Sequence, residues 1–270
     1  MYIGTRSTAF LEMLTRVIQK SNLKQDLMRK LVGHEKFIKT MDTVFTHPSA
    51  NKSVNYEYFE ILGDATLNKS IVWYISKRFP QLQCPEGVKI IARLKINLIS
   101  KKTFSALAQS LGFWEFVSAE EEIRQTKMKK ILEDVFEAFF GALEMLLDDI
   151  VYPGAGYPIC YRIIVSLFNE LTISLAYNDL YDPITRLKEV FDYFKDLGTF
   201  SFTSYKQDGI QYVNVCKKRP SDTNPTVIGS GSAALLDDAK QKACMKGIEY
   251  LKNRGFEKPV SDYYKNLVMS

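Results

Sequence analysis

The sequence predicts a mainly α domain over residues 1–179 and a small α+β domain over 180–255, ordered helix, three strands, helix, with a tail over 256–270. Two patterns carry this. Apolar residues recur at helical spacing in Phe59-Leu62-Ala65-Leu67, Ile90-Ile91-Leu94-Leu98 and Val135-Phe136-Phe139-Phe140-Leu143, as in a helix bundle. Beyond residue 180 the period drops to two, in Phe200–Tyr205 and Tyr212–Val215. A length of 270 residues with 46% hydrophobic content is enough for two packed cores.

The chain opens with Phe10, Leu11 and Leu14 between Arg6 and Arg16. Because Glu12 sits among them and no cleavage region follows, this reads as an ordinary first helix rather than a transit peptide. Helix breaks fall at Pro80 and Pro85, at Gly112, and across Pro153-Gly154-Ala155-Gly156 with Pro158. After Tyr161 an apolar helix is expected to run to about Ala176, with Tyr177-Asn178-Asp179 as a polar linker. Asp182-Pro183 starts a helix to about Leu197, since proline loses no bond in a first turn. Gly209 turns the first two strands, Val227-Ile228-Gly229 suggests a third, and Asp237 to Leu251 closes the domain as a helix.

Composition excludes several classes. A net charge of +5 tolerates an anionic partner without identifying one. Cys84, Cys160, Cys216 and Cys244 form no ligand or disulfide spacing, which points to a reducing, intracellular compartment, the cytoplasm first. The longest apolar run, Val135 to Leu147, is interrupted by Glu137 and Glu144, so no membrane span is expected. The short run Lys217-Lys218-Arg219-Pro220 reads as a strand end and leaves nuclear entry open, as mitochondrial entry is.

The chemistry lies in acidic residues on two predicted helices. In Glu57-Tyr58-Phe59-Glu60-Ile61-Leu62-Gly63-Asp64-Ala65, Glu57, Glu60 and Asp64 fall at i, i+3 and i+7, on one face. Like charges at that spacing repel, so the face is either a solvated acidic stripe or a place for a cation. In Leu132-Glu133-Asp134-Val135-Phe136-Glu137-Ala138, Asp134 and Glu137 stand three apart in an apolar stretch, where acids are seldom left unpaired. Two helices offering such carboxylates could surround a hard divalent cation, magnesium or manganese. Glu144, with Asp148 and Asp149 close behind, reads as a solvated helix end.

These residues resemble a known family. EYFEILGDA resembles the ribonuclease III signature E-R-L-E-F-L-G-D-A, and LEDVFEAFFGAL resembles that family's second acidic motif. Thr46-His47-Pro48-Ser49 is similar to its T-H-x-S turn, Pro85-Glu86-Gly87 to its short E-G segment, and Leu94 to Leu111 to the helix pair that follows. The five agree in order and spacing over about residues 40–150.

The resemblance implies that Glu60, Asp64, Asp134 and Glu137 are metal-binding catalytic carboxylates, and that Glu57 and Glu86 lie near a dimer-related valley. Lys130 matches a lysine that Dicer-like members place near the scissile phosphate, although a surface lysine after Lys127 and Lys129 is an equal reading. His47 matches a turn position of structural role and is not assigned as a base. The implied reaction is Mg2+-assisted hydrolysis of double-stranded RNA, with Mn2+ as a substitute, leaving 5′-phosphate and 3′-hydroxyl ends with short 3′ overhangs. One active site per chain implies a homodimer, with Phe59 and Ile61 as candidate apolar contacts or as core residues of one subunit. Tyr58 and Glu133 depart from the usual arginine and glycine. The alternative is a silent relative that serves as an RNA-binding or scaffold subunit; such members usually lack a catalytic carboxylate, and all four are present here.

The C-terminal domain resembles a double-stranded-RNA-binding domain, with Gly229-Ser230-Gly231 and Ala239-Lys240-Gln241-Lys242-Ala243-Cys244 in the expected places and Lys240 and Lys242 as candidate RNA contacts. The customary basic pair before the alanine is replaced by Leu236 and Asp237, and Gln207-Asp208-Gly209 stands where a G-P-x-H loop is usual. Residues 181–270 hold 14 Lys and Arg against 11 Asp and Glu, a weak footprint for a polyanion, so a protein partner is the other reading.

Overall fold

In the computed structural model, which describes residues 1–269, the helices of the first unit are α1 (Thr8–Gln19), α2 (Gln25–Val32), α3 (Glu35–Val44), α4 (Glu57–Arg78), α5 (Gly87–Leu98), α6 (Lys101–Ser110), α7 (Glu121–Ile150) and α8 (Gly156–Asn169). This unit covers Met1–Ile173. Its centre is α7, largely buried from Ile131 to Leu147 and packed against α2, α3, α4, α6 and α8. A helix with apolar residues on most of its faces belongs in a core, which makes the buried Asp134 and Glu137 on it exceptional. Phenylalanines link it to its neighbours: Phe104 meets Phe136, Phe113 meets Phe139, and Phe45 meets both Phe113 and Phe10 at centroid distances near 5 Å. The helix at residues 8–19 buries Phe10, Met13, Leu14, Val17 and Ile18 in this core, as a structural first helix does.

Two breaks fall where the sequence places them: α4 gives way to a 3-10 turn at Pro80–Leu82 before α5, and α6 ends at Ser110, just ahead of Gly112, whose φ of 81° suits glycine. The helix expected after Tyr161 differs. It starts earlier, at Gly156, because Pro158 occupies its first turn, where a missing N–H costs nothing. It also ends earlier, at Asn169, ahead of the β-branched pair Thr172-Ile173.

The second unit runs from Ser174 onward. Its expected linker, Tyr177 to Asp179, is instead a short helix, α9 (Tyr177–Leu180), entered through a turn in which Ser174 Oγ accepts from Ala176 N and donates to Asp179. There follow α10 (Pro183–Tyr193), capped by Asp182, β1 (Thr199–Gln207), β2 (Ile210–Lys218), β3 (Thr226–Ala233), α11 (Leu236–Lys252) and α12 (Asp262–Met269). The sheet is antiparallel in the order β1-β2-β3. Asp208 and Gly209, both at positive φ, form the two-residue hairpin turn, so β1 and β2 pair over nine residues, well past the alternating stretches. Leu187, Phe191, Val213, Val215, Ile228 and Ala243 form the core between the sheet and the helices α10 and α11. Among the described residues, no helix is long and apolar enough to cross a membrane.

Candidate active site

The site is created where α4 crosses α7. A Cβ on Gly63 would stand 1.7 Å from the Glu137 carbonyl oxygen, and one on Gly141 would stand 2.3 Å from the Phe59 carbonyl oxygen and 2.5 Å from Gly63 N. Only glycine at both positions lets the backbones approach so closely. This crossing sets the acidic face of α4 against Asp134 and Glu137 of α7.

At the crossing, Glu60, Asp134 and Glu137 each turn one carboxylate oxygen to within 4.8 Å of the others. Asp134 and Glu137 are only 5% and 8% exposed, and Glu60 is half-buried. Burial raises the Glu137 carboxyl to about 8, helped by the charges of Asp64, Glu133 and Glu60 and opposed by Lys130. Burial likewise raises Glu60 to about 6, with Asp134 the strongest charge against it. The donor set is all carboxylate oxygen, and the mutual repulsion of the charges favours a positive partner. Those are the properties of a site for a hard divalent cation.

Asp64 is exposed and lies outside the triad of close oxygens; its carboxylate accepts from Asn68 Nδ2 at 2.7 Å. Its charge is nonetheless the strongest acting on Glu137, so it faces the cluster. Lys130 joins the cluster too: its Nζ is 2.5 Å from Asp134, 3.5 Å from Glu133 and 3.8 Å from Glu60. Lys130 is thus an exposed lysine whose ammonium is paired with carboxylates. Burial alone would lower its pKa, but Asp134, Glu133 and Glu60 outweigh that and hold it charged, above the usual lysine range.

Glu57 is exposed in the first turn of α4, and its charge reaches Glu60. Glu86 is exposed at the N-cap of α5, outside the carboxylate cluster. Phe59 is half-buried, whereas Ile61 is 73% exposed. His47 is a turn residue: its Nδ1 accepts from Ser49 N at 2.9 Å, and burial lowers its pKa, keeping the ring neutral.

Sequence reasoning missed two participants. Tyr56, 3% exposed, donates from its hydroxyl to Asp134 Oδ2 at 3.2 Å and sets its ring edge-on to His47. Glu133 was noticed only as a departure from glycine, yet its place three residues after Lys130 was the available signal. Glu144 corrects an expectation. It is half-buried and accepts from the Thr66 hydroxyl, while Asp148 accepts from Gly156 N at 2.6 Å, so this end of the acidic run is held by α4 and α8 rather than solvated.

With this geometry in place, likeness to known proteins becomes informative. The Ribonuclease III domain profile matches residues 57–146, a span that contains both acidic motifs. A protein of Invertebrate iridescent virus 6 that bears the ribonuclease 3 name is 35% identical over 264 residues, covering 93% of this chain and 90% of that one. The chain belongs to the ribonuclease III family. A Frog virus 3 protein bearing the same name is 40% identical over 215 residues, 78% of this chain and 56% of its own length. The nuclease domain of a Campylobacter jejuni ribonuclease III aligns over 54% of this chain and 96% of that domain, at 27% identity and a TM-score of 0.43. As a member of that family the chain is a hydrolase of the nuclease class.

In the second unit of this ribonuclease III the two candidate RNA contacts diverge. Lys240 lies over the Phe202 ring at 5.8 Å, whereas Lys242 donates to the Ser232 carbonyl at 3.1 Å on another face of α11. Asp237 and Asp238 occupy the first turn of that helix, where phosphate would otherwise be welcome.

Proposed function

We propose that the chain is a double-stranded-RNA endoribonuclease whose four acidic residues Glu60, Asp64, Asp134 and Glu137 hold Mg2+, with Mn2+ as a working substitute. The observation that carries this reading is the buried carboxylate triad at the Gly63/Gly141 crossing, in a chain of this family. A divalent cation there would lower the pKa of a water and offset the charge gained by the phosphoryl group. The protein's own contribution is positional. Gly63 and Gly141 fix the spacing of the two acidic helices, Tyr56 holds Asp134, and Lys130 stands beside the carboxylates within reach of an approaching phosphate. No histidine serves as base: His47 is tied into its turn, and His34 accepts from Lys36 N at the start of α3. Products would carry 5′-phosphate and 3′-hydroxyl ends with short 3′ overhangs.

In this reading residues 1–179 form the nuclease domain and 180–255 the duplex-binding domain. Because one cluster cuts one strand, the nuclease works as an isologous homodimer with Glu57 and Glu86 toward its valley. The exposed apolar pair Tyr58 and Ile61 on α4 supports a contact there. The direct test incubates the full chain with duplex and single-stranded RNA, with and without MgCl2, and sizes the products. Equal cutting of both substrates, or cutting that survives chelation, would remove the proposal. Sedimentation at micromolar concentration tests the dimer: a monomer making paired cuts would discard it.

A further inference from the structure

Each oxygen of Asp134 has one polar neighbour. Oδ2 accepts from Tyr56 at 3.2 Å, and Oδ1 is held by Lys130 Nζ at 2.5 Å. Each oxygen keeps a lone pair for a cation, so what opposes a cation at Asp134 is charge: the Lys130 ammonium repels it and the neutral Tyr56 hydroxyl does not, and the two neighbours are also unequally held. Tyr56 is 3% exposed with its ring fixed against His47, whereas the Lys130 side chain is 49% exposed on a flexible stem. The ammonium also lies 3.8 Å from Glu60, a second member of the triad, and 3.5 Å from Glu133. It therefore brings a positive charge to two of the three triad carboxylates.

We infer that Lys130 is a resident counter-ion of the carboxylate cluster, competing with the divalent cation for Asp134 and Glu60 and swinging outward when the cation binds. This rests on the metal-binding reading above and adds an order of events. The lysine is tied down before the cation enters and is free to meet the phosphate of a duplex only afterwards. Tyr56 is the fixed partner that keeps Asp134 oriented while the exchange takes place. Glu133, whose side chain is 14% exposed, is the group to which the ammonium can remain tethered as it leaves Asp134, since it is on the same helix and outside the triad.

The test is a binding measurement rather than an activity. Mg2+ is titrated by calorimetry, and Mn2+ by electron paramagnetic resonance, into the full chain and into Lys130→Met, with thermal unfolding of each in chelator. If Lys130 is the competitor, Lys130→Met binds Mg2+ at least about tenfold more tightly, the order expected when a unit charge a few ångströms from the dication is removed even under water-like screening. It also unfolds at a lower temperature than wild type in chelator, and the deficit closes in saturating Mg2+. Should the methionine variant fail to fold, Lys130→Gln gives the same comparison. Unchanged or weaker Mg2+ binding by the variant, beside saturable binding by wild type, overturns the counter-ion role and leaves the metal site standing. Absence of saturable binding by wild type itself overturns both.

Discussion

The two units use the same packing device toward different ends. In the first, Gly63 and Gly141 bring two helices into backbone contact; in the second, Gly229 and Gly231 let β3 lie against α11, where added Cβ atoms would meet the Ala243 and Ala239 carbonyl oxygens at 2.3 and 2.5 Å. Close approach at the α4/α7 crossing concentrates charge: three carboxylates and one ammonium share a small volume. Close approach at the sheet merely seats a helix, and its lysines point apart. A glycine contact produces a site only where the flanking turns carry like charges on the facing sides, as they do around Gly63 and Gly141.

The comparison can be broken most forcefully at the carboxylates. Glu137→Gln and Asp64→Asn preserve volume and should each lower cleavage about a thousandfold, several kcal/mol of transition-state stabilisation, while circular dichroism stays native. Glu144→Gln, on the same helix but bonded to Thr66, should cut normally in the same assay. Full activity of Glu137→Gln in MgCl2 would remove Glu137 from the ligand set.

Next in size is the crossing itself. Gly141→Ala forces a methyl against backbone atoms at 2.3 and 2.5 Å, so α4 and α7 must separate, at a cost of about 1–3 kcal/mol. Denaturant unfolding should register that loss and metal titration a weaker site. A variant as stable as wild type would show that the helices have room to spare.

A gentler perturbation is pH. Glu137 at about 8 and Glu60 at about 6 bind protons more tightly folded than unfolded, where a glutamate titrates near 4.5. The metal-free protein therefore loses stability as pH rises from about 4.5 to 8, and bound Mg2+ offsets the loss. Scanning fluorimetry in chelator should record a melting temperature lower at pH 8 than at pH 5.5. The difference should shrink in MgCl2 and in Glu137→Gln; a melting temperature that rises over this window would contradict the burial argument.

The smallest effect belongs to the second unit. Truncation after residue 180 should weaken duplex binding modestly, more so as salt rises, and leave cleavage at low salt. Identical affinity and salt slope for truncated and full-length chains would favour the protein-partner reading of residues 180–255.

Much of this was legible in the residues. Periodicity located α4, α7 and the α-β-β-β-α order, and of the four carboxylates that spacing and the family resemblance point to, the fold gathers Glu60, Asp134 and Glu137 and leaves Asp64 outside their triad. Periodicity and spacing are local: they depend on a repeat of 3.6 or two residues and on motif order along one chain. What the tertiary structure alone decided involves partners far apart in sequence. Tyr56 meets Asp134 across 78 positions, and Glu144 is held by Thr66 across the same separation, so neither contact leaves a local pattern. Lys130 is the instructive middle case. Its spacing to Asp134 allowed an i,i+4 pair, but only the approach of Glu60 from another helix turned that pair into a cluster, because the charge on a lysine is worth what surrounds it and burial is a property of the fold.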